Sequence, residues 1–172
     1  MRRHLILVRH VKSAWDDASI ADHDRPLAPR GTEALPRLRK HLARAAHPPE
    51  LVLCSTSRRT VDTLAGIRAA VPRHARVEIE PAIYEASADT LLDRLQLIDG
   101  DVGCAMAIGH NPAVQDLALL LVGAGDPDLR EQLSAKVPTG AAVTLSFDGS
   151  WRDLGAGTAR LDDVFMPRRP RS

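Results

Sequence analysis

Leu5-Ile6-Leu7-Val8-Arg9-His10 is the stretch that decides how this chain is read. A short aliphatic run that stops at a charged pair fits a strand buried on both faces, with its polar residues delivered at the carboxyl end. The pattern recurs twice. Leu51-Val52-Leu53-Cys54 runs into Ser55-Thr56-Ser57-Arg58-Arg59, and Gly103 to Ile108 runs into Gly109-His110-Asn111-Pro112. A helical pattern follows each run: Thr32 to about Ala46, with Leu35, Leu38, Leu42 and Ala45 on one side, Glu33 in the first turn and Pro48-Pro49 as the stop; Val61, Leu64, Ile67 and Val71; and Val114, Leu117, Leu120 and Leu121, with Pro112 in the first turn. Val77 to Ile79 and Ala141 to Phe147 add strands, and Asp89 to Leu97 adds a helix. Residues 13 to 30 read as a loop, and Gly123 to Pro127 as a break. Alternating strands and helices predict a mostly parallel α/β sheet covered on both faces, a three-layer α/β/α sandwich whose site lies at the carboxyl ends of the strands. No repeat or linker divides the chain, so one domain is expected over residues 1 to 166, followed by a basic, frayed tail from Pro167 to Ser172.

Composition narrows the function. A chain of 172 residues can bury a core without disulfides or a structural metal. With 23 Lys+Arg against 22 Asp+Glu, there is no general preference for nucleic acid or membrane, and any electrostatic role must be local. Aromatic residues make up 3% of the chain, which argues against single-strand binding by stacking. The opening apolar run is too short for a signal peptide or a spanning helix, so a cytoplasmic, monomeric protein is expected. Cys54 and Cys104 sit inside apolar runs and read as buried free thiols, not as a disulfide or metal pair.

If the three strands share a sheet, Arg9, His10, Arg58, Arg59 and His110 converge on one edge. Guanidinium groups hold phosphate oxygens bidentately, and imidazole is a competent nucleophile, so two histidines among arginines describe an anion site with a phosphoryl ligand. Phosphoryl transfer needs cationic donors at the equatorial oxygens and a proton for the leaving group, which Glu85 or an aspartate would supply. No metal or other cofactor is called for.

The segments Leu-Val-Arg-His-Val-Lys-Ser at 7 to 13, Asp-Arg-Pro-Leu-Ala-Pro-Arg-Gly at 24 to 31, Cys-Ser-Thr-Ser-Arg-Arg-Thr-Val-Asp-Thr at 54 to 63 and Gly-His-Asn-Pro at 109 to 112 together resemble the histidine phosphatase superfamily, nearest to its small phosphohistidine phosphatase branch. The resemblance runs from about residue 4 to Phe147 and implies a phosphoglycerate mutase-like fold. It also implies that His10 is the nucleophile that becomes phosphorylated, that Arg9 binds phosphoryl oxygens, and that His110 is the second pocket histidine. Matching Ser55 and Thr63 to the family's serine and threonine gives the phosphate-binding role to Arg59, with Arg58 as the alternative. Glu85 falls in the region of the superfamily's proton donor, and Lys12 and Ser13 border the nucleophile as further substrate contacts. Val11 stands where glycine is usual and is expected to narrow the pocket floor.

The expected reaction is metal-independent hydrolysis through a phosphohistidine on His10. By resemblance the substrate is a phosphorylated protein histidine, since a chain this short has little room for a cap over a small ligand. A small phosphoester is the enzymatic alternative, and a phosphate-binding protein without turnover the non-enzymatic one. Asp24 and Arg25 read as a loop ion pair. His4, His23, His41, His47 and His74 fall in no ligand pattern.

Overall fold

The computed structural model describes residues 1–167, so the expected tail beyond Pro167 lies outside the described residues. Seven strands form one sheet: β1 (Arg2–Arg9), β2 (Leu51–Ser55), β3 (Arg76–Glu80), β4 (Cys104–Gly109), β5 (Val122–Gly125), β6 (Ala142–Asp148) and β7 (Ala159–Phe165). Their order is β3-β2-β4-β1-β6-β7-β5. The pairs β1–β4, β2–β4, β2–β3 and β5–β7 are parallel, whereas β6 runs antiparallel to both β1 and β7. Among the described residues there are five α-helices: α1 (Pro29–Ala43), α2 (Arg58–Ile67), α3 (Ala88–Gln96), α4 (Ala113–Leu121) and α5 (Pro127–Ala135).

The central strands alternate side chains between two cores, as a strand covered on both faces must. Leu5, Leu7, Leu51, Leu53, Ala105, Ala107, Val143 and Leu145 face one core, with Leu91 and Leu95 of α3, Leu117 and Leu121 of α4 and Leu133 of α5. Ile6, Val8, Val52, Cys54, Met106 and Ile108 face the other, with Leu35, Leu38 and Leu42 of α1 and Leu64 and Ile67 of α2. The three-layer sandwich is therefore present. Both cysteines are buried and free, and burial pushes their thiols up to about 12.

Several sequence expectations are corrected. Helix α1 begins at Pro29, three residues before Thr32, because proline at the first position loses no hydrogen bond; Glu33 therefore falls outside the first turn, and the helix ends at Ala43, well before Pro48. Pro112 precedes α4, joined to Asn111 by a cis peptide bond. The stretch read as a break from Gly123 to Pro127 instead contains most of β5 and the start of α5, and β7 was not expected at all. Val11 is fully buried in the core under α1 and α2.

A close approach sets the start of α1. The Ala28 amide donates to the Lys12 carbonyl at 2.9 Å, and a Cβ placed on Gly31 would lie 2.1 Å from that same oxygen. Only glycine lets the helix lie this near the chain leaving β1. The helix and the loop from 13 to 28, which pairs Ser13 with Leu27, are thereby held against the end of β1.

Candidate active site

Strand β1 delivers Arg9 and His10, β2 delivers Ser55, and β4 ends at Gly109 beside His110, with these ends side by side in the parallel part of the sheet. The His10 amide bonds the Gly109 carbonyl, and the Gly140 amide bonds both the Arg9 and His10 carbonyls, which fixes the backbone at the nucleophile candidate. The His10 ring is buried, and its Nδ1 lies 2.7 Å from the Val11 carbonyl. A carbonyl can only accept, so Nδ1 carries the proton and Nε2 carries the lone pair. Burial, assisted by His110, Arg59 and Arg9 and opposed by the Val11 bond, pulls His10 down to about 3. The ring is neutral at physiological pH and has a free nitrogen for attack.

His110 packs 5.3 Å from His10 between ring centroids. Its Nε2 lies 2.8 Å from Ser55 Oγ, while its Nδ1 is buried without a partner. Burial first, then the nearby Arg59 charge, lowers it to about 4. Arg9 spends Nη1 on the Val137 carbonyl at 2.9 Å and keeps a buried, unpartnered Nε; burial and then Arg59 lower its affinity for its proton.

The two candidate arginines separate cleanly. Arg59 is buried and coupled to Arg9, His10 and His110, again with an unpartnered Nε. Arg58 lies on the exposed side of α2, 3.5 Å from Asp62 one turn away. Helix α2 places them this way because Ser57 caps it, accepting from the Thr60 amide, and successive residues on a helix point about 100° apart. Further down the helix, Thr63 Oγ donates to the Arg59 carbonyl and accepts from the Val11 amide at 3.1 Å, tying α2 to the residue after His10.

Asp22, which no sequence pattern singled out, holds this group together. From a 3-10 turn over Asp22–Asp24 it accepts Arg59 Nη1 on its carbonyl at 2.8 Å and Arg59 Nη2 on Oδ2 at 3.2 Å. Its Oδ1 takes Arg25 at 3.0 and 3.1 Å, and Oδ2 accepts a short hydrogen bond from the Tyr84 hydroxyl. The Tyr84 bond and then the arginines hold its carboxyl down at about 2. Arg25 therefore pairs with Asp22, not with Asp24, whose partner is His23. His23 in turn reaches Thr56 Oγ at 2.9 Å and meets Tyr84 edge to face, so one histidine without an expected role stands beside the site.

The remaining expected contacts are dispersed. Glu85 is exposed, and its neighbour Tyr84 is the residue that turns toward Asp22 and His110. Ser13 is buried, and Lys12 is exposed at the cleft edge beside Arg9. Among the described residues no group of three His, Cys, Asp or Glu side chains can hold a metal ion, and no helix is long and apolar enough to cross a membrane.

Comparison with known proteins follows this geometry. The model of the histidine phosphatase superfamily (branch 1) matches residues 5–96, more than half of the chain. The chain belongs to that superfamily. It is 34% identical to an uncharacterised protein of Mycobacterium tuberculosis, over 94% of this chain and all of that protein. The solved structure of a candidate phosphohistidine phosphatase SixA from Nakamurella multipartitia matches at 28% identity with a TM-score of 0.84, covering 97% of both chains. A second candidate SixA, from Agrobacterium tumefaciens, matches at 25% identity with a TM-score of 0.80, covering 96% of this chain and 98% of that one. The phosphoglycerate mutase-like fold and a histidine phosphatase activity therefore stand. Within this histidine phosphatase, the arginine and histidine motifs read from the sequence meet at one sheet edge.

Proposed function

We propose that this histidine phosphatase hydrolyses phosphohistidine in proteins, with His10 as the nucleophile. The observation that carries the reading is the set of buried groups left unpartnered around the neutral His10: Arg9 Nε, Arg59 Nε and His110 Nδ1. Buried polar atoms are normally satisfied, and such orphans at a cationic site are what phosphoryl oxygens would complete. His10 Nε2 attacks phosphorus in line, and the substrate's P–N bond breaks as the new P–N bond to His10 forms. Arg9 and Arg59 bear the charge on the equatorial oxygens. For His110 to donate from Nδ1, its Nε2 must accept from the Ser55 hydroxyl, which is free to donate because Ser55 Oγ itself accepts from the Ser57 amide. Water then hydrolyses the phosphorylated His10, returning the neutral ring and inorganic phosphate.

The leaving group argues for phosphohistidine over an ester. Asp22, held ionised, has no proton to give, and Glu85 is exposed at the segment beside the cluster as the candidate donor for an ester. A phosphorylated imidazole is itself a base and can bring its own proton on the second ring nitrogen, so it leaves without help from the enzyme. The likeness to the SixA structures supports the same choice.

The test compares wild type and His10→Ala on a phosphohistidine peptide and on an aryl phosphate, with EDTA present. The expected outcome is EDTA-resistant turnover with the peptide preferred, and a loss on the order of 10⁴-fold or more in the variant, as for removal of other covalent nucleophiles. Unchanged turnover in His10→Ala would end the mechanism. Preference for the ester would move the substrate to small phosphomonoesters, and a folded wild type inert on both would leave a phosphate-binding protein.

A further inference from the structure

Next to the catalytic cluster a cavity of about 650 Å³ opens between α1 and the segment that leads into β6, lined, among the described residues, by Arg9, Lys12, Arg30, Arg37 and Lys136 around one carboxylate, Glu33. The whole chain is nearly neutral, at +1, so five cations against one acid is a concentration of charge that composition does not require. Two walls make it. Arg30, Glu33 and Arg37 recur at three- and four-residue spacing and so share one face of α1, while Lys136, Pro138 and Thr139 form the other side.

Both walls are fixed to the nucleophile. Arg9 bonds the Val137 carbonyl, the Gly140 amide bonds the Arg9 and His10 carbonyls, and α1 is held on Lys12 by the bare Gly31. Arg9 is common to the cavity and the phosphoryl site, so whatever fills the cavity adjoins the reacting phosphorus. The start of α1 is also unusual. Its first turn has no acidic residue and its N-cap, Ala28, makes no side-chain bond, yet Arg30 sits there, where the helix dipole disfavours a cation.

We propose that this cavity receives acidic side chains flanking the phosphohistidine of a protein substrate, an inference that rests on the reading above and names the sequence context it selects. The form of the cavity favours an acidic peptide over a compact second phosphate. Lys12, Arg30, Arg37 and Lys136 are all exposed on an open rim, an arrangement suited to steering and orienting an extended partner, whereas a small anion would call for enclosed, desolvated donors. Ala34, Pro138 and Pro167 give the peptide stem an apolar surface between the charges.

The experiment uses two phosphohistidine peptides, one with Asp and Glu flanking the histidine and one with Asn and Gln, and compares wild type with the double variant Arg30→Gln/Lys136→Gln. Wild type should favour the acidic peptide about tenfold in kcat/KM at low salt, through KM, and the advantage should shrink severalfold at high salt, as exposed charge pairs are screened. The double variant should treat the peptides alike while keeping wild-type rates on the neutral peptide and on an aryl phosphate. Equal use of both peptides by wild type, or a preference that persists in the double variant, overturns the proposal. The unphosphorylated acidic peptide separates this from the substrate reading: it should inhibit aryl phosphate hydrolysis by wild type and not by the double variant. That inhibition without turnover of either phosphopeptide would sink the phosphohistidine reading alone. If citrate, a compact anion, loses potency in the variant and the acidic peptide does not, the cavity serves a small molecule and the proposal falls.

Discussion

The two halves of the sheet do different work. The parallel half, β3-β2-β4-β1, ends in Ser55, Gly109-His110 and Arg9-His10 and carries the chemistry at one edge. The other half, β6-β7-β5, contributes, in the segment ahead of β6, the Gly140 amide, the Val137 carbonyl that holds Arg9 and the cavity wall of Lys136, Pro138 and Thr139, and otherwise stores packing, notably Trp151, which is buried, bonds the Val102 carbonyl at 2.8 Å and meets Phe147 edge to face. The difference teaches that parallel strands place side chains from distant parts of the sequence at one common edge, while the extension beyond β1 adds mainly buried packing.

The sharpest way to break this division is Trp151→Ala. It should cost about 3–5 kcal/mol of unfolding free energy, as for other large-to-small aromatic substitutions in a core, with kcat unchanged where the protein remains folded. Denaturant titration beside the aryl phosphate assay checks it, and a fall in kcat matching the fall in stability would show that the halves are coupled. Within the parallel half, Arg59→Ala should lower kcat/KM on the order of 10²- to 10³-fold, as for loss of a charge-stabilising donor, while Arg58→Ala stays within about twofold. The reverse order would transfer the phosphate contact to Arg58.

A third effect concerns protons. His10 and His110, held at about 3 and about 4, bind protons less readily in the folded chain than the ordinary histidine of an unfolded one. The unfolded state therefore takes up more protons as pH falls from about 6.5, and stability should decline from there toward about pH 3, with a plateau above. In His10→Asn the slope should be shallower by up to about 1.4 kcal/mol per pH unit, one proton's worth, as measured by chemical denaturation across that window. Equal slopes would mean that His10 is not kept neutral by the fold.

What the sequence revealed follows the same boundary. The strands of the catalytic half are unbroken aliphatic runs, and their polar ends were legible because such runs have few other places to go. Beyond Phe147 the signals fail. Strand β7 puts Asp162 and Asp163 side by side, and a register shift opposite Thr144 and Leu145 in β6 interrupts its alternation, so Leu161 and Val164 both end buried. Val122-Gly123-Ala124-Gly125 has the composition of a turn and becomes a strand only by pairing with β7. At the site, His10, Arg9, His110 and the Arg58-Arg59 pair were legible as candidates because they end or follow strands, and matching Ser55 and Thr63 to the family pattern favoured Arg59. Asp22 was not, since it shares an aperiodic loop with Asp16, Asp17 and Asp24, and only the approach of α2 distinguishes it. Glu85 was selected by region, and it lies exposed beside Tyr84, whose ring and hydroxyl meet His110 and Asp22.

The bond from His10 Nδ1 to the Val11 carbonyl has a consequence for how this enzyme can vary. Where an acidic side chain orients a catalytic imidazole, a second codon must be kept for the tautomer to be right. Here the orienting group is the main chain, present whatever residue occupies position 11. The alignment of His10 thus presents a mutational target of one side chain, and position 11 is free to be chosen for the core it fills.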